Sequence, residues 1–292
     1  MTTKTPVVAI EPLSPLLIEP AVRAALLEDF GRAGDLTTQA TITASASAHG
    51  IIAAREPGRI AGLDFALTAF RLMDPAIKIA VRALDGCDVG KGDVVAIVDG
   101  PARPILTGER VALNFLGQLS GIATATAKLV KLCEGTKARV VCTRKTTPGL
   151  RAFEKYAVRC GGGHNHRFGL DDGILIKDNH IVAAGGIANA INAARAHAGH
   201  MVRIEIEVDS LDQLDKALEF GANSILLDNM KPDTLREAVK RTAGRAILEA
   251  SGNVTADTIA AIAATGVDLI SSGAITHSPK CLDLGLDFRQ TA

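Results

Sequence analysis

In the second half of the chain, short apolar runs alternate with segments of helical periodicity. From about residue 138 the pattern of a strand followed by a helix repeats. The runs are apolar without strict alternation, as is typical of strands covered on both faces. Such alternation predicts parallel strands joined by right-handed helical crossovers. The predicted strands are 139–142, 174–176, 202–208, 224–227, 246–250 and 268–271, and the predicted helices are about 149–159, 181–196, 210–219, 232–242 and 255–264, with Ser210 and Gln213 at capping-box spacing.

The first half of the chain has a different pattern. Strand-like runs at 51–54, 77–81 and 93–98 are mixed with a helical segment at about 64–72. Residues 90–92, Gly-Lys-Gly, predict a turn before the third run. This half is therefore predicted to be a small α+β domain.

Nearly every predicted strand in the second half ends in charged or small polar residues. A single polar strand end is explained by the wetness of loops. Many successive polar strand ends converge on one mouth if the sheet closes into a barrel, whereas a doubly wound sheet places its site at one switch point. The pattern therefore favours the barrel. The residues are 143–145, 177–180, 205 and 207, 228–229, 249 with 251–252, and 271–273.

Composition and charge narrow the class of protein. Hydrophobic residues make up 47% of the 292 residues and aromatic residues only 3%, so the core must consist mainly of Ala, Val, Ile and Leu. Lys plus Arg and Asp plus Glu are equal at 32 each. A net charge of zero argues against nonspecific nucleic-acid binding, which needs a basic field.

The five cysteines form no CxxC pair. A disulfide framework or zinc knuckle is therefore not expected, and a reducing compartment fits best. The first 20 residues are interrupted by prolines, and apolar runs fall well short of a membrane span. We expect a cytoplasmic protein without membrane contact.

A glycine-rich segment at 159–167 adds a second kind of signal. Three consecutive glycines allow close approach of the backbone to a ligand, and His164, His166 and Arg167 follow them. The two histidines have no matching Cys or His set, so metal ligation by them is disfavoured. The segment also lacks the spacing of a dinucleotide fingerprint or a P-loop.

Cations are concentrated at predicted strand ends and loops of one barrel face. Because like charges repel one another, such a cluster implies an anionic ligand. Glu207 and Asp228 are expected at the same mouth, where they could hold Mg²⁺ or ribose hydroxyls. A polyanion, a metal and a sugar together suggest phosphoribosyl chemistry. The cations are Arg144, Lys145, Arg167 and Lys177.

The sequence resembles the quinolinate phosphoribosyltransferase family over most of its length. The match consists of many ordered motifs and is therefore specific. It departs from the family pattern at Asn253, where a second glycine is often found, and at Ser272, where valine is common. The matching stretches are 27–31, 34–38, 109–116, 120–124, 143–151, 155–163, 166–167, 177–180, 205–208, 227–229, 249–252 and 273–274.

This resemblance implies an α/β fold, with an N-terminal α+β open-sandwich domain and an incomplete (β/α) barrel of seven strands. The implied domains are residues 1–115, joined by a C-terminal tail of about 275–292, and the catalytic barrel at 116–274. The resemblance also implies a homodimer or hexamer with shared active sites. Arg110 resembles the arginine that reaches into the site of the neighbouring subunit.

The resemblance further implies roles for individual residues. Arg144, Arg167 and Lys177 would grip the quinolinate carboxylates, with Lys145 and His166 nearby. Ser251, Gly252 and Gly273 would lie at the phosphate end, where backbone N–H groups bind phosphate well. Glu207 and Asp228 would lie near the ribose hydroxyls and Mg²⁺. The residues expected to take part in catalysis are Lys145, Lys177, Glu207 and Asp228.

The expected reaction joins quinolinate to phosphoribosyl pyrophosphate with loss of CO₂, giving nicotinate mononucleotide for de novo NAD biosynthesis. The pyridine nitrogen has a free lone pair, so no general base is required, which fits the absence of a catalytic triad motif. Catalysis would depend on positioning and electrostatic stabilisation of the departing pyrophosphate.

Other functions remain open from the sequence. A related phosphoribosyltransferase of the same fold, of the nicotinate type or associated with molybdate transport, would differ by releasing no CO₂. The turn at 88–93 resembles that of lipoyl or biotinyl carrier domains, although Lys91 lacks the usual Met-Lys context. A purely structural role leaves the clustered cations unexplained.

Overall fold

The computed structural model describes residues 10–289, and the chain forms two compact units. The first consists of the described parts of Met1–Thr124 and Pro279–Ala292 together with Arg159–Gly162. The second consists of Ala125–Val158 and Gly163–Ser278. The division into functional domains at 115/116 and about 275 stays a prediction.

The first unit contains most of the helices and strands of the N-terminal half and the last strand of the chain. Its long helix α4 continues past Thr124 into the second unit. The elements are α1 (Pro15–Phe30), α2 (Leu36–Thr41), β1 (Ser47–Ala54), β2 (Gly58–Arg59), α3 (Leu63–Met73), β3 (Lys78–Val81), β4 (Asp88–Val89), β5 (Val94–Pro101) and α4 (Ala102–Leu132).

An antiparallel sheet organises the first unit. Its order is β12-β1-β5-β3, where β12 is the C-terminal strand Leu284–Arg289. Ile52 lies opposite Leu286 on β12 and Ala96 on β5. The C-terminal segment therefore returns to the first unit, as the resemblance implied. Phe65 and Phe70 of α3 are almost completely buried, and the ring of Phe65 stacks on Phe115 with centroids 5.0 Å apart.

The second unit alternates strands and helices. Helix α5 ends with two residues that belong to the first unit. The elements are β6 (Arg139–Val141), α5 (Arg151–Cys160), β7 (Ile174–Ile176), α6 (Asp178–Ala183), α7 (Ile187–His197), β8 (Ile204–Val208), α8 (Leu211–Glu219), β9 (Ser224–Asp228), α9 (Pro232–Thr242), β10 (Ile247–Ser251), α10 (Ile259–Ala263), β11 (Leu269–Ser271) and α11 (Ala274–His277).

The strand order of the second unit is that of an incomplete barrel. The six strands are parallel in the order β6-β11-β10-β9-β8-β7. The order runs in one direction around a circle, with the gap between β6 and β7, and it lacks the reversal of a doubly wound sheet. This confirms the predicted fold class. Instead of a seventh strand, a single parallel bridge joins Val141 to His164.

Two details of the predicted elements are wrong. The single helix predicted at 181–196 is two helices, because Gly185 and Gly186 between α6 and α7 have φ angles of 78° and 123°. The capping box at α8 is incomplete. Ser210 accepts a hydrogen bond from the Gln213 N–H, but the Gln213 side chain accepts from Asp209 instead of from the cap residue.

Within residues 10–289, every helix is too short or too polar to cross a lipid bilayer.

Gly121 of α4 provides a test of how the C-terminal segment is held in the first unit. A Cβ atom at this position would overlap the Lys280 carbonyl oxygen. Alanine normally stabilises a helix relative to glycine by up to about 1 kcal/mol, but overpacking costs roughly 1–3 kcal/mol. Gly121→Ala is therefore expected to lower the free energy of unfolding, measured by urea denaturation. Asn114→Ala at an exposed position of α4 is the control, and a Gly121→Ala protein as stable as wild type would contradict the packing described.

Candidate active site

A cavity of about 830 Å³ opens at the carboxyl ends of the parallel strands of the second unit. Ten of the eleven residues expected from the sequence line it. The eleventh, Arg110, is an exposed residue of α4 in the first unit. The ten are Arg144, Lys145, His166, Arg167, Lys177, Glu207, Asp228, Ser251, Gly252 and Gly273.

The parallel register explains why residues so distant in sequence meet. Glu207 lies near the end of β8, Asp228 ends β9 and Ser251 ends β10. Asp228 and Ser251 are register partners. Lys177 follows β7 directly, and Gly273 comes two residues after β11. All the strands point the same way, so their carboxyl ends bring these residues to one edge.

Two arginines crowd the cationic side of the cavity. The Nε atoms of Arg144 and Arg167 are buried without a hydrogen-bond partner, while Arg167 Nη1 donates to the Gly173 carbonyl oxygen at 3.0 Å. Burial, and then the charge of Arg144, lowers the pKa of Arg167. The charge of Arg144 therefore disfavours the charged form of Arg167, and an anion placed between the two guanidinium groups relieves this cost.

Lys177 is the cation with a carboxylate partner in the cavity. Its Nζ lies 3.0 Å from Glu207 Oε2. Glu207 is mostly buried, with 17% of its side chain exposed, while Lys177 is 48% exposed. Lys177 is thus held in place by Glu207 but still faces the cavity.

The other side of the cavity is built from small residues and strained backbone. Asn229 and Asn253, with φ angles of 53° and 51°, are two of the three non-glycine residues with positive φ within the described chain. A Cβ atom on Gly252 would overlap the Asn229 side chain, and one on Gly273 would lie 2.9 Å from Lys145 Cδ. Glycine at these positions keeps backbone N–H groups accessible, as phosphate binding requires.

An acidic cluster lies at the inner end of the cavity. Two glutamates, Glu205 and Glu249, are buried with His166 between them. His166 Nε2 lies 2.9 Å from Glu205 Oε2 and 3.9 Å from Glu249 Oε2, and Ser224 Oγ donates to Glu205 Oε1 at 3.0 Å. Glu249 Oε1 is buried without a hydrogen-bond partner.

The hydrogen bonds of His166 define its tautomer. The Arg167 N–H donates to His166 Nδ1 at 2.7 Å, so Nδ1 must carry a lone pair and Nε2 the proton given to Glu205. Burial lowers the pKa of His166, but the Glu205 hydrogen bond and the Glu249 charge outweigh it and raise the pKa overall. This shift favours imidazolium, but two N–H groups facing each other at 2.7 Å would repel. We therefore assign the neutral ring.

This tautomer also bears on metal binding. The ligand atoms of His166, Glu205 and Glu249 all lie within 4.8 Å of one another, a spacing that a metal ion could bridge. Both ring nitrogens are already used, however, and a metal ligand needs a free lone pair. The carboxylates at the cavity mouth are better suited to a hard cation.

Sequence reasoning assigned no role to several residues of the cavity, two of them titratable. Glu249 is predicted as a strand-end residue only and His277 as structural, yet both line the cavity. His277 comes four residues after Gly273, one helical turn away, which was the available signal. His164, in contrast, pairs with β6 and does not line the cavity.

Fold and cavity together define a class of protein, the α/β-barrel enzymes that bind an anionic ligand at the carboxyl ends of their strands. The family model "Quinolinate phosphoribosyl transferase, N-terminal domain" matches residues 35–120, and the corresponding C-terminal domain model matches residues 122–287. The chain belongs to the quinolinate phosphoribosyltransferase family.

Named relatives and a solved structure agree with this assignment. The chain is 47% identical over 261 residues to a probable nicotinate-nucleotide pyrophosphorylase (carboxylating) of Bacillus subtilis, covering 89% of this chain and 90% of that protein. It is 45% identical over 274 residues to the Mycobacterium leprae nicotinate-nucleotide pyrophosphorylase (carboxylating), covering 91% and 95%. The nicotinate-nucleotide pyrophosphorylase structure from Francisella tularensis superposes with a TM-score of 0.92 at 41% identity, covering 96% and 99%.

Glu249 gives the site a pH dependence that can be measured. Burial, and then the charge of Glu205, raises the pKa of Glu249 to about 7 from 4.5. Between these values the folded state holds a proton that the unfolded state has lost, so wild-type stability falls as pH rises. Glu249→Gln cannot ionise. The free energy of unfolding of Glu249→Gln, taken relative to wild type, should therefore increase by at most about 3 kcal/mol between pH 4.5 and 7. Above pH 7 it should stay constant.

Urea denaturation at a series of pH values measures this difference. The same substitution at Glu219, an exposed residue of α8, controls for the loss of a carboxyl group elsewhere. A difference between Glu249→Gln and wild type that does not vary with pH would show that folding does not shift the pKa of Glu249.

Proposed function

We propose that this protein transfers the phosphoribosyl group of phosphoribosyl pyrophosphate to quinolinate with decarboxylation. The products are nicotinate mononucleotide, pyrophosphate and CO₂, and the reaction belongs to de novo NAD biosynthesis. The observation that carries the proposal is one cavity, in a chain of this family, that combines a crowded pair of arginines with two carboxylates and a glycine-rich wall.

We assign the cations of the cavity to the two carboxylates of quinolinate. Arg144 and Arg167 are suited to a ligand with two adjacent carboxylates, since each guanidinium offers a planar fork of donors. Lys177, Lys145 and His166 line the same cavity. Ligand carboxylates would reduce the repulsion that lowers the pKa of Arg167.

The carboxylates and the glycine wall are assigned to the sugar phosphate. Glu207 and Asp228 face the cavity, where they can accept hydrogen bonds from ribose hydroxyls. Ser251, Gly252 and Gly273 would bind the 5′-phosphate through backbone N–H groups and the Ser251 hydroxyl.

The enzyme class is consistent with a divalent metal, and we propose Mg²⁺. Asp228 is the better-suited protein ligand, because it accepts an amide hydrogen bond from Asn229 at 2.7 Å, whereas Glu207 is ion-paired with Lys177. Mg²⁺ typically uses one or two carboxylates together with substrate oxygens. When bound, it would neutralise charge on the pyrophosphate.

The chemistry then depends mainly on positioning. The pyridine nitrogen uses its lone pair to form a bond to the anomeric carbon while the bond to pyrophosphate breaks. Lys145 would stabilise charge growing on the leaving group. Once quaternised, the nitrogen stabilises the carbanion left on the ring when the adjacent carboxylate departs as CO₂, and a proton then adds to that carbon.

We propose further that Arg110 completes the active site of a neighbouring copy in a homodimer or hexamer. The proposal rests on its exposure on α4 and on the match of residues 109–116 to the family pattern. A cytoplasmic location is proposed from the odd number of cysteines without a CxxC pair.

The reaction is tested by incubating the purified protein with phosphoribosyl pyrophosphate, Mg²⁺ and either quinolinate or nicotinate. Nicotinate mononucleotide and CO₂ are expected from quinolinate alone, measured by chromatography and by trapping of labelled CO₂. Product from nicotinate alone, without CO₂, would show a nicotinate-type transferase of the same fold. Absence of product with both acids would contradict the proposal.

Arg144→Ala tests the assignment of the carboxylate site. Losing this charged donor should cost at least about 2–3 kcal/mol of transition-state stabilisation, or roughly 30- to 150-fold in kcat/KM for quinolinate. Steady-state kinetics measures the loss. Arg236→Ala on α9, which pairs with Asp233 outside the cavity, is the matched control. An unchanged kcat/KM for Arg144→Ala would remove Arg144 from the site.

A further inference from the structure

Helix α5 contains a buried lysine that the reaction above does not use. Lys155 is only 3% exposed. Its Nζ donates to Cys142 Sγ at 3.0 Å and to the His166 carbonyl oxygen at 2.9 Å. Among residues 10–289 no carboxylate oxygen lies within 4.0 Å of Lys155 Nζ, so Lys155 forms no ion pair with them. A buried ammonium group without a counterion is costly, so its presence calls for an explanation.

The partner of Lys155 on this side is a cysteine and not a carboxylate. Cys142 is completely buried, and its Sγ also lies 3.3 Å from Asn165 Oδ1. The contact with Cys142 therefore gives Lys155 a hydrogen bond but no carboxylate counterion.

Lys155 holds together the two segments that carry the arginines of the cavity. Cys142 immediately precedes the segment with Arg144, and His166 immediately precedes Arg167. The backbone links the same segments, because the Cys142 N–H donates to the His164 carbonyl oxygen at 3.1 Å. Because Lys155 contacts both segments, it fixes the spacing between Arg144 and Arg167.

The acidic groups in the region of Lys155 have other partners. Asp172, an acidic group that interacts with Lys155, is already bound to the N–H groups of Phe168 and Gly169. Glu205 is used by His166 and Ser224. Glu154, the preceding residue of α5, accepts from the Thr147 N–H. The acidic groups of this region are therefore bound to other partners.

We infer that Lys155 is a positioning residue whose buried charge favours a dicarboxylate over a monocarboxylate in the cavity. This inference rests on the proposed function. The two carboxylates of quinolinate act as the distant counterions that the fold does not supply. Lys155 stays out of contact with the ligand and acts through the arginine pair and through its field, which is weakly screened in the interior.

The inference predicts a charge-weighted loss of binding when Lys155 becomes neutral. The electrostatic energy of a ligand in the field of Lys155 is proportional to the charge of the ligand. The factor by which a dianion loses affinity is therefore the square of the factor for a monoanion. For Lys155→Met we expect quinolinate Kd to rise about tenfold and nicotinate Kd about threefold. Isothermal titration calorimetry of the full-length protein with each acid measures both constants.

Three further variants separate charge from structure. Lys155→Gln keeps an N–H donor without the charge and should show the same weighting as Lys155→Met. Lys155→Arg keeps the charge and should restore discrimination between the two acids. Cys142→Ala keeps Lys155 and removes only the sulfur contact, so its two Kd values should change by equal factors.

The outcomes are distinguishable from failure of the proposed function. If wild type does not bind quinolinate, the proposed function and this inference fall together. If wild type binds it and the neutral variants lose both acids equally, or neither, the inference alone is wrong and Lys155 is structural. Loss of folding in both neutral variants, seen by circular dichroism, would likewise show that the fold itself requires the charge.

Discussion

Repulsion between like charges is the constraint on which the site depends. In the second unit, burial and then the nearby charge of Arg144 lower the pKa of Arg167. Lys145 and Lys177 line the same cavity, and Lys155 lies buried behind it. A folded protein can hold such a cluster only if rigid packing opposes the repulsion between the cations. A bound polyanion removes this repulsion, and the free energy released contributes to its binding.

The carboxylates near the cavity do not remove this repulsion, because they are bound to other groups. Glu207 pairs with Lys177 at the mouth, while Glu205 is hydrogen-bonded to His166 farther in. Burial raises the pKa of Glu249 so far that it holds a proton near neutral pH. Few of the acidic groups are therefore left to neutralise the arginines, and the cavity keeps its attraction for an anionic ring and a sugar phosphate.

Much of the architecture was predictable because it depends on local pattern. Parallel strands covered on both faces must be apolar, so all six appeared as short hydrophobic runs within one or two residues of their observed bounds. Polar residues directly after buried strands identified ten cavity-lining residues. The helices α1 and α4 were not predicted, and the role of Arg110 came from the resemblance alone.

The sequence by itself determined which residues are apolar, where strands and helices alternate, and which cations follow the strands, because these properties depend on neighbours along the chain. Only the tertiary structure decided that the sheet is open between β6 and β7, and that His166 faces the cavity while His164 does not. It also decided that Glu249 lies beside Glu205 and that Lys155 forms no ion pair with a carboxylate of residues 10–289. Burial and electrostatic coupling depend on distances between segments far apart in the chain, and a linear pattern does not contain those distances.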